Sequence, residues 1–211
     1  MNKLICFLYI SITTLPVVLS YLLDRKYRRK IKLITEDDNK FYNQLLSVTM
    51  KNFNCKPHVI EKNECSENCS LAYQKIIQAF ISSAKSSICL CIYIFTLKSL
   101  TYELIQAHKR GVDVRVISDQ IMFETKSQRD NFSILSKNEI PYKLHSPRSI
   151  KMHHKFCLID KDDPERAKMF SGSLNLTNQG FCYNFDNTVL TNNIYVIKRF
   201  SDEFEKLWNL F

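Results

Sequence analysis

His153 and Lys155 stand two residues apart, just before an apolar run that ends at Asp160. Because residues Phe156 to Ile159 are all apolar, we predict a buried strand over Met152 to Asp160. Side chains two apart on a strand share a face, so His153 and Lys155 point the same way and Asp160 does not. An ammonium can hold a phosphoryl oxygen, and an imidazole can attack phosphorus or carry a proton. The spacing therefore predicts a phosphate site.

A second polar element, Gly172-Ser173-x-Asn175, follows soon after this strand. Without it, His153 and Lys155 would also fit a polar strand end with a solvated histidine and a surface lysine. The presence of a serine and an asparagine at this position favours the phosphate site, because both side chains can hydrogen-bond phosphoryl oxygens.

The two elements together, H-x-K-x4-D and G-S-x-N, resemble the signature of the phospholipase D superfamily. The chain is more closely similar to its single-motif mitochondrial branch, the Zucchini endoribonucleases or mitochondrial cardiolipin hydrolases. The resemblance covers roughly Leu45 to the end and is strongest over residues 153–160, 171–180 and 204–208. Two positions depart from the branch pattern. Leu176 stands where the branch usually has Trp, and Asp186 where the superfamily usually has the Glu that braces the histidine.

The resemblance implies a role for each motif residue. The catalytic set is His153, Lys155 and Asp160; Ser173 and Asn175 hold the phosphate; Asp186 orients the histidine. We expect Asp160, on the other strand face, to support the local backbone and charges.

The superfamily mechanism needs two such motifs, whereas this chain has one. A two-fold dimer resolves this, because an isologous interface can bring a residue near the axis against its own copy. We therefore expect a homodimer with a shared active site, in which one His153 forms a phosphohistidine and the other donates a proton. The two Lys155 ammoniums supply the positive charge, so the mechanism requires no catalytic metal.

Three cysteines and a histidine lie close together as C-x2-H-x6-C-x3-C, at Cys55, His58, Cys65 and Cys69. Three thiols and an imidazole match a closed tetrahedral zinc site, which would be structural because no ligand position stays open. Disulfides are the alternative, although a cytosolic location disfavours them. The resemblance also implies a small zinc-binding insertion here, at residues 55–69.

The N-terminal segment Leu4 to Leu23 carries no charge and would span about 30 Å as a helix. A basic cluster at residues 25–30 follows, which predicts a membrane anchor with the C-terminal side in the cytosol. A cleaved signal peptide is the alternative, with a tolerable site at residues 18–20. The resemblance implies the mitochondrial outer membrane.

Strand and helix patterns alternate along the rest of the chain, which predicts an α/β fold. With the resemblance, we expect a phospholipase D-like sandwich with a mostly parallel central sheet flanked by helices, preceded by a transmembrane helix. The expected domains are an anchor at 1–24, a charged juxtamembrane linker at 25–42 and a catalytic domain at 43–211.

The net charge of +9 favours phosphate-bearing partners but does not distinguish RNA from lipid. The first hypothesis is a single-stranded RNA endonuclease of the piRNA pathway giving 5′-phosphate products, because a narrow dimer groove admits one strand. The second is a cardiolipin hydrolase that produces phosphatidic acid from anionic membrane phospholipid. The third is an inactive membrane-tethered scaffold. An apolar rim around the groove would favour lipid, and a purely basic groove would favour RNA.

Overall fold

The computed structural model describes residues 14–29, 44–146 and 150–211. The chain divides into two compact units, Met1–Lys40 and Phe41–Phe211. In the first unit, residues 14–29 form a helix, α1, with exposed side chains. Among the residues that the structure describes, no helix combines the length and the apolarity needed to cross a bilayer. Residues 1–13 of the predicted anchor at 1–24 lie outside this part of the chain.

The second unit alternates strands and helices. Its strands are β1 (Gln44–Val48), β2 (Ser87–Ile92), β3 (Asp113–Asp119), β4 (Tyr142–His145), β5 (Lys155–Ile159), β6 (Lys168–Gly172) and β7 (Asp186–Thr191). Its α-helices are α2 (Lys56–Glu61), α3 (Ser70–Ser82), α4 (Lys98–Lys109), α5 (Lys126–Lys137), α6 (Asn178–Cys182) and α7 (Ile194–Leu210). Two short 3-10 helices, Met50–Cys55 and Gln120–Glu124, complete the described elements.

The strands form one mixed sheet in the order β1-β7-β6-β5-β2-β3-β4. Among the described strands, the β2–β3 and β3–β4 pairs are parallel and the other four pairs are antiparallel. The α/β fold with flanking helices is confirmed, but the prediction of a mostly parallel sheet is wrong. Parallel neighbours need a crossover, which α4 and α5 provide, whereas β5 and β6 are joined by a short helix-free connection and run antiparallel.

Alternate residues of the central strands face two hydrophobic layers. Ile88, Leu90 and Ile92 of β2 belong to the larger cluster, which also contains apolar residues of α3, α4 and α5. Cys89 and Cys91 belong to the second cluster, which the apolar face of α7 covers. The central strands are therefore buried on both faces, which holds the end of β5 in a fixed position.

The motif strand is shorter than its sequence predicts. β5 begins at Lys155, so Met152 and His153 precede it, and it ends before Asp160. Asp160 has a left-handed backbone, with φ of 50°, which turns the chain out of the strand. The predicted ends of the strand are wrong because apolar residues indicate burial but not where hydrogen bonding to the neighbouring strands begins and ends.

Candidate functional site

The end of β5 brings His153 and Lys155 into contact. The Lys155 ammonium lies 3.2 Å from His153 Nδ1 and donates to the His153 carbonyl oxygen at 2.6 Å. The Lys155 side chain is buried along its length, while His153 is exposed. The exposed imidazole therefore lies against a buried positive charge, and the two groups are close together as predicted.

The ring of Tyr93 packs against both groups, which sequence reasoning did not anticipate. Its centroid lies 4.5 Å from that of the His153 ring, and the Lys155 ammonium lies 5.1 Å from it. Tyr93 is buried and follows β2, the antiparallel neighbour of β5. A cation over an aromatic face is attracted by the ring quadrupole, so Tyr93 fixes the position of the ammonium. An aromatic residue directly after a buried central strand was the available sequence signal.

Asp119, at the end of β3, holds the backbone immediately before His153. Its carboxylate accepts hydrogen bonds from Met152 N–H and Ile121 N–H, each at 2.8 Å. It is fully buried, and His145 Nδ1 approaches it at 3.9 Å. Sequence reasoning missed this residue too, although an aspartate at the carboxyl end of a parallel strand commonly faces a site.

Burial and neighbouring charge adjust the protonation of the pair. Partial burial, with the positive charges of Lys155 and Lys151, lowers the pKa of His153 below its ordinary value, although Asp119 opposes the shift. Burial also lowers the pKa of Lys155, against the opposing effect of Asp186. A lowered histidine pKa favours the neutral imidazole at pH 7, which is the form that can act as a nucleophile.

Ser173 and Asp186 are hydrogen-bonded to each other near His153 and Lys155. Ser173 Oγ donates to Asp186 Oδ1 at 2.7 Å, and Asn184 Nδ2 donates to Asp186 Oδ2 at 3.0 Å. The described contacts of Asp186 lie with these two side chains rather than with His153, which it was predicted to orient. Gly172 permits the arrangement, because a Cβ there would stand 2.1 Å from the carbonyl oxygen of Asn187.

Asn175 and Leu176 connect the second motif to the segment after β2. Asn175 Oδ1 accepts a hydrogen bond from Ile94 N–H at 3.2 Å, and Leu176 N–H donates to the Ile94 carbonyl at 3.2 Å. Leu176 is fully buried in the larger hydrophobic cluster, where it takes the position that the branch usually gives to Trp. In this structure the asparagine braces the site through its oxygen, and its NH2 group can donate a hydrogen bond to a ligand.

Asp160 lies at the opposite end of β5 from His153 and Lys155. Its carboxylate accepts from the backbone N–H groups of Lys85, Ser86 and Ser87 and from the Ser86 hydroxyl, at 2.7–3.0 Å. It is buried, so this bonding satisfies the charge. The structure therefore separates Asp160 from the rest of the predicted catalytic set and gives it a supporting position.

The predicted metal ligands converge in the segment between β1 and α3. One ligand atom from each of Cys55, His58, Cys65 and Cys69 lies within 4.8 Å of the others. The Cys55 and Cys65 sulfurs are 4.0 Å apart, and the Cys69 sulfur is 3.8 Å from His58 Nδ1. A disulfide would bring sulfurs to about 2.05 Å. Zn–S bonds of about 2.3 Å place tetrahedral sulfurs about 3.8 Å apart, so this donor set fits zinc.

Comparison with known proteins gives the same family by sequence and by structure. The family described as "Cardiolipin synthase, PLD-like domain" matches residues 77–208. The mitochondrial cardiolipin hydrolase of Danio rerio is 33% identical over 138 residues, covering 65% of this chain and 57% of that protein. The mitochondrial cardiolipin hydrolase of Drosophila melanogaster is 31% identical over 162 residues, covering 70% and 63%. The chain thus spans about three fifths of the length of these relatives.

A solved structure agrees with these matches. The crystal structure of Nuc from Salmonella typhimurium, described as a phospholipase D family member, superposes with a TM-score of 0.58. It is 26% identical and covers 64% of this chain and 86% of its own. The matched family segment contains both motifs, and the resemblance found in the sequence is confirmed. The chain belongs to the phospholipase D superfamily, in the branch of the mitochondrial cardiolipin hydrolases.

Proposed function

We propose that this domain is a phosphodiesterase that works through a phosphohistidine at His153. The observation that carries the proposal is the contact of the Lys155 ammonium with the His153 ring at the exposed end of a buried strand. The lowered pKa of His153 keeps the imidazole neutral and nucleophilic near pH 7.

In the proposed reaction, a phosphodiester anion draws the Lys155 ammonium onto a phosphoryl oxygen. The neutral imidazole of His153 attacks phosphorus, and the bond to the leaving oxygen breaks as that oxygen takes a proton from a second imidazole in its imidazolium form. The bound phosphodiester anion favours that charged form, because an opposite charge nearby raises the pKa of a histidine. Water then attacks the phosphohistidine, the second imidazole takes its proton, and a phosphomonoester leaves. Ser173 and Asn175 would hold phosphoryl oxygens while charge shifts. The lysines supply the positive charge, so the proposed mechanism includes no catalytic metal.

The second imidazole is proposed to be His153 of another copy in a two-fold homodimer. In-line displacement places the nucleophile and the leaving group on opposite sides of phosphorus. One histidine therefore cannot both attack phosphorus and protonate the leaving oxygen. Mixing wild-type chains with inactive His153→Asn chains in equal amounts would leave about a quarter of random dimers with His153 in both chains. Activity should fall to about that fraction after co-folding. A fall only in proportion to the wild-type fraction would show that each chain works alone.

We propose that Cys55, His58, Cys65 and Cys69 hold a structural zinc ion, which would stabilise the fold of its segment. Elemental analysis of reduced protein should find about one zinc per chain. Cys65→Ser should lose both metal and solubility, whereas Cys157→Ser, outside the cluster, should keep the metal. Reduced protein without zinc would contradict the proposal.

The substrate that we propose is a phospholipid diester such as cardiolipin, cleaved to phosphatidic acid. The names of the relatives support it, since both are cardiolipin hydrolases. Single-stranded RNA, the first hypothesis from the sequence, is the second candidate and is favoured by the net charge of +9. The contact between the exposed His153 ring and the Lys155 ammonium argues against an inactive scaffold.

Parallel assays of the full chain separate the two substrates. Cardiolipin vesicles should yield phosphatidic acid, and turnover should persist in EDTA in short assays. RNA cleavage would instead fall steeply with added salt and give 5′-phosphate products. Cleavage of RNA without any release of phosphatidic acid would overturn the lipid proposal and retain the phosphodiesterase.

We also propose that the protein is anchored in the mitochondrial outer membrane with its catalytic domain in the cytosol. The relatives' names support the organelle, and the apolar N-terminal sequence followed by basic residues supports the orientation. In isolated intact mitochondria, added protease should digest the catalytic domain. Protection until the outer membrane is opened would contradict this topology.

A further inference from the structure

Three exposed aromatic side chains and a lysine lie on the segments around Cys55 and just before Asp186; we refer to Phe53, Tyr183, Phe185 and Lys56 as the aromatic corner. Phe53 is 61% exposed and Phe185 76% exposed, and Tyr183 is also exposed. The Phe53 and Tyr183 rings meet edge to face at 5.4 Å, and the Lys56 ammonium lies 5.8 Å from the Tyr183 ring. Large apolar groups left in water in this way carry an unfavourable free energy that a partner could remove.

The aromatic corner is joined to the active site through hydrogen bonds. Asn184, between Tyr183 and Phe185 in the chain, donates to Asp186, which accepts from Ser173 on its other oxygen. On the other side, the Ser70 hydroxyl at the start of α3 donates to the Phe181 carbonyl at 2.6 Å and accepts from Asn52 Nδ2, next to Phe53, at 3.3 Å. Ser70 thus joins α6 to the segment that carries Phe53. The hydrogen bonds of Asn184 and of the Phe181 carbonyl therefore hold the aromatic corner in a fixed position at the edge of the site.

We infer that the aromatic corner is a bilayer-docking surface that places a phospholipid headgroup at the catalytic residues. Aromatic rings with a neighbouring lysine suit the boundary between headgroups and acyl chains, where the rings enter apolar material and the ammonium meets lipid phosphate. The exposed Lys51 and the net charge of +9 complement an anionic surface. This inference rests on the proposed lipid substrate and adds the surface by which the enzyme reaches it.

The ring geometry favours a membrane over single-stranded nucleic acid. Unpaired bases bind by stacking successively on open aromatic faces. The Phe53 and Tyr183 planes cross at 81°, and the Lys56 ammonium stands over the Tyr183 ring. A base stacked on one ring could not continue onto the other, whereas insertion into lipid needs no common plane.

An added tryptophan probe in the full chain tests the contact directly. Phe53→Trp and Phe185→Trp each add one tryptophan to the native Trp208, and Tyr102→Trp places a matched probe on α4, at a site that is 60% exposed. The vesicles contain phosphatidylcholine with brominated acyl chains together with cardiolipin. Both aromatic-corner probes should be quenched well above the Tyr102→Trp control. Equal quenching at all three positions, or none at the aromatic corner, would overturn the inference. Quenching by a single-stranded oligonucleotide but not by vesicles would also overturn it.

A kinetic comparison separates this inference from the proposed function. In the Phe53→Ser/Phe185→Ser variant, the ratio of turnover on cardiolipin vesicles to turnover on a water-soluble phosphodiester should fall about tenfold or more, because two rings no longer insert. Tyr102→Ser should keep the wild-type ratio. An unchanged ratio in the double variant, with wild-type lipid turnover intact, would refute the docking surface alone. A wild-type protein that cleaves no lipid would refute the proposed substrate. In that case the quenching experiment alone would decide whether the aromatic corner docks to a bilayer.

Discussion

The H-x-K-x4-D motif spans β5, and its residues at the two ends of the strand have opposite environments. At one end, His153 is exposed. The Lys155 ammonium contacts the His153 ring, the His153 carbonyl oxygen and the Tyr93 ring. At the other end, Asp160 is buried and accepts four hydrogen bonds from residues 85–87. The strand has five residues, so the two ends lie roughly 15 Å apart.

The difference suits a reactive role for His153, as proposed, and a structural role for Asp160. A group that must change partners during a reaction needs incomplete bonding, whereas a group that fixes a turn needs complete bonding. The exposed His153 ring, whose pKa partial burial and the Lys155 charge lower, meets the first condition. The left-handed backbone of Asp160, held by its own carboxylate, reflects the second. Mutations at the two ends should therefore affect different measured quantities.

The largest expected effect is the loss of turnover in His153→Asn. An amide fills the space of the ring but cannot form the phosphoryl intermediate, so cleavage should fall by at least about a thousandfold. Because the residue is exposed, the free energy of unfolding should change by only about 0.5 kcal/mol. His154→Asn is the matched control, since His154 contacts Glu203 at 3.8 Å, and it should keep most activity. Substantial turnover in a normally folded His153→Asn protein would exclude this nucleophile.

Asp160→Ala should act on stability instead. Removing the carboxylate leaves buried donors of residues 85–87 without an acceptor and should cost about 3 kcal/mol, measured by denaturant unfolding. Asp162→Ala, two residues away with an 81% exposed side chain, should change stability by about 0.5 kcal/mol or less. If Asp160→Ala lost activity at unchanged stability, the assignment of Asp160 to support would be wrong.

Tyr93→Leu should reduce turnover by about tenfold, because the ring no longer holds the Lys155 ammonium and the His153 imidazole in place. Tyr93→Phe keeps the ring and should restore most of the rate, which distinguishes positioning by the ring from chemistry by the hydroxyl. The kinetic comparison of these two variants is the test. Equal loss in both would assign the effect to the hydroxyl.

The smallest effect expected is a shift in the titration of His153. The Lys155 charge disfavours the imidazolium, so Lys155→Gln should raise the pKa of His153 towards its ordinary value, although burial keeps it lowered. Histidine ring resonances followed by NMR against pH give this pKa. Lys206→Gln, an exposed lysine near Glu203, is the control and should leave it unchanged. A lower pKa in Lys155→Gln would contradict the assigned electrostatics.

Much of the site was predictable because its signals are local in sequence. The two-residue spacing predicted that His153 and Lys155 lie together, and the spacing from Cys55 to Cys69 predicted the ligand cluster. Asp160 is separated because it follows the other end of β5, and not through strand parity. Tyr93 could not be identified in this way, because its contact with His153 depends on which strands become neighbours. The same limitation produced the error about the sheet, since connections between strands decide their direction.

The role of Asp186 shows a further limit. The family pattern assigns it to the histidine, but its hydrogen bonds go to Ser173 and Asn184. An aspartate is one methylene shorter than the glutamate usual at this position, so the sequence indicates which carboxylate is present but not which partner it reaches. Only the relative positions of β6 and β7, where Gly172 permits close approach, settle that partner.

The measurement that tests the central proposal most directly is identification of the covalent intermediate. The full-length protein is mixed with cardiolipin vesicles, quenched in base to preserve phosphohistidine, digested and analysed by mass spectrometry. The account predicts a phosphoryl adduct on His153 that appears during turnover and is absent from His153→Asn. Turnover without an adduct on His153, or an adduct on another residue that persists in His153→Asn, would contradict it.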